Sequence, residues 1–153
     1  MILMRQYQIY MINDAIVQQY FGKESLLFTL FNDYYHSNGD RSRILSKQIQ
    51  FITMKIPSNE VSALFVQSSP DNQIKYEAPG AYYISKQNSS GNLHSSARLT
   101  IKPRVIHLLA EGHYDAEAIF FEEMRKCKGS FLAVDLQNTR YGWLRPIKER
   151  KLI

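Results

Sequence analysis

The spacing of apolar residues switches repeatedly between strand-like and helix-like along this chain, and those changes restrict its fold more than any other feature. In residues 5–12, Gln6 and Gln8 alternate with Tyr7, Ile9 and Met11, and Tyr10 and Ile12 close the run. Period two with aromatic and β-branched residues predicts a half-buried strand. The period then lengthens. Asn13 and Asp14 offer an N-cap oxygen for a short helix through Phe21, and Gly22 breaks it. Leu27, Leu30, Phe31 and Tyr34 recur at helical spacing over residues 23–35. Leu45, Ile49 and Ile52 do so over 41–52, after a turn at Ser37-Asn38-Gly39-Asp40.

From residue 58 to 67 the pattern is ambiguous. Val61, Leu64 and Phe65 suit a helical turn, although 63–66 could equally be a buried strand; helix is the expectation. Residues 67–73 form a polar loop containing Pro70. Strands are predicted at 81–86 and 97–101, joined by a Ser/Asn/Gly-rich hairpin loop at 87–96. Another strand at 105–109 follows Pro103 and ends at Gly112. Ala116, Phe120, Met124 and Cys127 share one helical stripe, with Phe121 beside it, Glu122 and Glu123 facing water, and Gly129 as C-terminal cap. Strands at 131–134 and 140–144 flank a turn at 137–139.

The expected fold is therefore α+β: one domain over 1–153 with a mostly antiparallel sheet. Helices concentrate in the N-terminal half, and one helix lies between C-terminal strands. A length of 153 residues suits a single domain that needs no disulfide or metal to hold its core.

Composition removes several classes of function. A lone cysteine, Cys127, excludes an intrachain disulfide framework and a multi-thiolate zinc site. No apolar run suits a signal peptide or a membrane span, so a cytoplasmic protein is expected. Phosphate-binding glycine motifs are absent, because the seven glycines are scattered singly. His113, Asp115 and His107 with Cys127 are the nearest approach to a nucleophilic site. Cys127 falls on an apolar stripe, however, where a thiol behaves as a small hydrophobe. His36 with Asp40, and His107, Glu111, His113 and Asp115, lack metal-ligand spacing. No catalytic role, metal or cofactor is expected, which favours a binding protein.

The net charge of +5 sits mainly at one end: residues 140–153 carry five basic side chains against Glu149. Arg140, Tyr141, Trp143 and Arg145 interleave cations with aromatics, as single-strand binders do. A small nucleic-acid-binding protein using Arg140, Trp143, Arg145, Lys148 and Arg150 is thus the alternative function. Against it, Trp143 and Leu144 suit anchors for the last strand.

The first helix has an unusually broad apolar arc for its length. Ile16, Tyr20, Val17 and Phe21 spread over about 140° at 100° per residue. If Val17 and Phe21 face the sheet, Ile16 and Tyr20 remain partly exposed beside Gln18 and Gln19, as a helix-to-helix protein contact requires. Alternatively, the whole arc is core beneath the second helix.

Two blocks of sequence make the protein-contact expectation specific. Tyr20-Phe21-Gly22-Lys23-Glu24-Ser25, Leu30-Phe31-Asn32-Asp33-Tyr34 and the segment 47–53 form one; the segments 114–122, 131–135 and 140–150, including Arg140-Tyr141-Gly142-Trp143-Leu144, form the other. Together they resemble the SirA family of sporulation inhibitors of replication over somewhat more than half the chain. The resemblance implies a non-enzymatic regulator that binds the N-terminal domain (domain I) of the replication initiator DnaA. It places partner contacts at Ile16, Gln19 and Tyr20 on the first helix and Gln50 on a later one, with Pro146 at a functionally sensitive position. Position 16 departs from the family pattern, which has phenylalanine there. Small-molecule substrates, membranes and direct nucleic-acid contact do not belong to this implied function.

Overall fold

The computed structural model describes residues 4–67 and 73–150. Eight strands form one antiparallel sheet: β1 (Met4–Ile12), β2 (Thr53–Met54), β3 (Lys75–Ala78), β4 (Ala81–Gln87), β5 (Leu93–Ile101), β6 (Ile106–Gly112), β7 (Ser130–Asp135) and β8 (Arg140–Trp143). Their order is β3-β4-β5-β6-β1-β7-β8, with β2 pairing β1 off that path. Among the described residues five helices accompany it: α1 (Asp14–Gln19), α2 (Glu24–Tyr35), α3 (Gly39–Ile52), α4 (Ser58–Gln67) and α5 (Asp115–Met124). The α+β architecture is the expected one, and residues 58–67 are helical.

Alternation in the strands divides the core in two. Ile9, Met11, Leu99, Leu108 and Ala110 point to one face and pack with Phe65 from α4 and Ala116, Phe120 and Met124 from α5. Tyr10, Ile12, Leu132 and Val134 point to the other, beneath Ile16, Val17, Leu27, Phe28, Phe31 and Ile52. Phe31 stacks on Tyr10 with ring centroids 4.1 Å apart. The α1–α3 helices thus cover the β1/β7/β8 end of that face. Over β5 and β6 it forms an open trough of about 890 Å³ that includes Gln6, Gln8, Arg98, Thr100 and His107.

Beneath α5 lies a buried charge pair. Arg5 and Glu117 are 3% and 2% exposed. Arg5 Nε donates to both Glu117 carboxylate oxygens at 3.0 and 2.9 Å, and the Tyr7 hydroxyl donates to the same carboxylate. Arg5 also lies 4.2 Å from the centre of the Tyr114 ring. A pair this dry needs all these partners, because each charge loses its hydration on folding.

Several local expectations are corrected. Helix α1 stops at Gln19: Gly22 takes φ 77°, and Glu24 Oε1 accepts the Gly22 N–H at 2.6 Å. Phe21 consequently turns outward, 37% exposed, instead of facing the sheet. Helix α5 ends at Met124, so Cys127 lies beyond it and Gly129 is not its cap. Gly129 instead lies just before β7 at φ 105°, where a Cβ would come within 2.9 Å of Met11 Cε. Glu123 is buried and paired with Lys126 at 2.9 Å, while Glu122 stays exposed. The 87–96 loop is shorter than expected, because β4 and β5 extend to Gln87 and from Leu93. Strands β2 and β3 lack a prediction, and part of the 67–73 loop lies outside the described residues.

Candidate protein-docking site

Three local connections bring α1 beside α3. Asn13 caps α1 by accepting the Ala15 N–H at 2.9 Å. The Asn13 N–H donates to Ile52 O at 2.9 Å, tying the start of α1 to the end of α3. The chain then leaves α3 into β2, which pairs with Met11 and Ile12 of β1. Arg104 holds that end of α3 from outside: its Nη1 donates to the carbonyls of Gln50 at 3.4 Å and Thr53 at 3.2 Å. A cation there also complements the helix dipole.

Between the two helices runs a groove of about 400 Å³, lined by Ile16, Gln19, Tyr20, Leu30, Lys47, Gln48, Phe51 and Ile52. Buried Ile16 and Ile52, each 7% exposed, form its base. Tyr20 is half-buried at one rim, and Phe51 stands 78% exposed at the other. Ile44, two turns earlier on the same face of α3, is also exposed. Lys47 and Gln48 are exposed, and Lys47 makes no ion pair among the described residues. The groove is therefore apolar with a positive rim, suited to a partner surface that presents apolar side chains and a carboxylate.

The sequence-predicted contact residues divide three ways. Ile16, Gln19 and Tyr20 meet in the groove, but Ile16 is buried, correcting the expected partial exposure; α3 and the second core cover it. Gln50 is exposed on another side of α3, where its carbonyl receives Arg104. Pro146 lies across α1 in a separate concavity with Asp14, Val17 and Gln18. Phe51 was missed, although its position off the Leu45–Ile49–Ile52 stripe is a signal that it points outward.

The other candidate chemistries disperse. Cys127 is buried, and burial followed by the charge of Glu60 pushes its thiol up to about 12, so it is protonated at neutral pH. His113 stacks on His94 at 4.1 Å, and His94 Nε2 is 3.1 Å from Asp115. Burial, then Lys102, lowers the pKa of His107 in the sheet trough. His36 Nδ1 lies 2.9 Å from Asn32 O, and Asp40 pairs with Arg43. No cluster of three or more metal-ligating side chains occurs among the described residues.

The basic aromatic end is largely engaged with the protein itself. Arg140 pairs with buried Asp135 at 2.9 Å, Arg145 Nη2 donates to Gly129 O at 3.1 Å, and Tyr141 stacks on Phe28. Trp143 and Leu144 pack against the two cores, as anchors of the last strand should. No helix among the described residues is long and apolar enough to cross a membrane.

A single sheet carrying a shallow apolar groove between two helices defines a protein with a surface suited to macromolecular contact. The family model described as sporulation inhibitor of replication protein SirA matches residues 5–148. A relative from Bacillus subtilis (strain 168), named sporulation inhibitor of replication protein SirA, is 35% identical over 154 residues, covering 97% of this chain and 99% of the relative. The chain belongs to the SirA family.

Proposed function

We propose that this protein is a cytoplasmic, non-enzymatic inhibitor of replication initiation that acts during sporulation by binding domain I of DnaA. The names of its family and of its Bacillus subtilis relative support the inhibitory role. The observation that carries the docking site is Phe51, largely exposed across from Tyr20 over the groove base formed by Ile16 and Ile52. An aromatic side chain left in water on a rigid helix offers large contact area at little conformational cost.

Inhibition then works by occlusion. A partner helix laid against the groove buries Tyr20, Phe51 and the edge of Ile16, while Gln19 supplies polar contact at the rim. Gln50 sits at one margin of this footprint, whereas Pro146, in the segment on the far side of α1, acts on it through the position of that helix. A total interface of about 1,200–1,600 Å² would cover the initiator surface and exclude its other partners. No turnover is needed.

Calorimetric titration with the DnaA N-terminal domain of the same host tests this function. Tyr20→Ala is expected to weaken the complex by more than about 1 kcal/mol with an unchanged circular dichroism spectrum. Unchanged affinity in a folded variant contradicts the assignment of Tyr20.

A further inference from the structure

Helix α1 is gripped from behind as well as opened in front. Gln18 is turned about 200° from Ile16 around the helix, away from the groove. Its amide makes two hydrogen bonds to backbone more than 100 residues away: Nε2 donates to Lys148 O at 3.1 Å, and Oε1 accepts the Arg150 N–H at 2.9 Å. Between those points the segment has no regular structure of its own. Arg145, bonded to Gly129 O, anchors its beginning, and Ile147 packs into the second core.

A helix of six residues has little stability alone, because nucleation is unfavourable and few intrahelical bonds follow it. Tertiary contacts must therefore hold it. Asn13 and Ile52 secure its start; Gln18, its penultimate residue, secures its end to the C-terminal strap. Ile16 and Tyr20 face the groove from the same two turns.

We propose that Gln18 is a positioning residue for partner docking: by lacing the 145–150 strap across the back of α1, it keeps Ile16 and Tyr20 in the binding arrangement. The proposal rests on the docking function above. It implies reciprocity, since a partner that selects ordered α1 must also tighten the strap.

Gln18→Met, which preserves length while removing both hydrogen bonds, is the test variant; deletion of residues 148–153 removes the same bonds from the other side. In the free protein, amide exchange at Val17 and Tyr20, whose N–H groups bond Asn13 O and Ile16 O at 2.9 Å, is expected to accelerate about tenfold. Exchange in β1 and β6 should not change. Affinity for the same partner domain should fall about three- to tenfold, in proportion to the lost ordered population, and saturating partner should restore α1 protection. Unchanged exchange at Val17 and Tyr20 overturns the proposal, as does a loosened α1 with undiminished affinity. If the wild-type chain does not bind the domain, the docking function and the affinity claim both fall, while exchange still decides whether Gln18 holds α1.

Discussion

The two faces of the sheet solve opposite problems. Beneath α4 and α5, apolar side chains enclose Arg5 and Glu117, and Phe120 and Met124 are inaccessible to water. Beneath α1–α3 the core is equally dry at Phe31 and Ile12, but its helices end in a rim where Tyr20 and Phe51 remain available. One face spends its polar groups on internal specificity; the other leaves apolar area unspent. Mutations on the first should therefore act on folding, and those on the groove rim on association.

The largest expected effect tests the buried side. Glu117→Gln leaves the Arg5 charge without its carboxylate, which should cost about 3–5 kcal/mol of stability in urea unfolding. Partner affinity per folded molecule should stay unchanged. A parallel loss of affinity in the folded fraction would break the division between faces.

Asp135 gives the next effect and a pH signature. Burial would raise its pKa, but hydrogen bonds from Arg140 and Asn138 outweigh that and hold it below the ordinary value of 3.8. A depressed folded pKa adds stability above the unfolded pKa, which is lost as pH falls through the folded one. Asp135→Asn should lose about 1.5–3 kcal/mol at neutral pH. Its urea midpoint should also fall less steeply than that of the wild type below about pH 4. Equal pH slopes would remove Asp135 from the acid response.

On the groove side, Phe51→Ala should weaken partner binding by more than about 1 kcal/mol while moving stability by less than about 0.5 kcal/mol. A large stability loss with intact binding would reverse its assignment. Smallest is Lys47→Glu, expected to slow association and to alter the salt dependence of affinity, a rim-charge effect of about 0.2–1 kcal/mol. Association rates measured across ionic strength check it.

How much of this was legible depended on whether the determinants were local. Helices α2 and α3 show their burial pattern directly, since each puts one apolar face against the sheet, whereas β1, expected to be half-buried, is covered on both faces from Ile9 to Ile12. Strand β3 shows none: all four of its residues are exposed, and only its ladder with β4 makes it a strand. The end of α1 was obscured because Tyr20 and Phe21 continue an apolar pattern that the Gly22 turn interrupts. Ile16 is buried by α3 and the sheet, a tertiary cover that a helical wheel lacks. Gln18 was invisible as a support because its partners lie 130 and 132 residues away. The helices that line the groove were thus readable as helices, whereas the division of their residues between base, rim and support was not.

Hydrogen exchange of the full chain with and without the DnaA N-terminal domain tests the central claim most directly. New protection should concentrate on α1 and on residues 44–52 of α3. Protection confined to the open trough over β5 and β6, with α1 and α3 unchanged, would contradict docking at the groove.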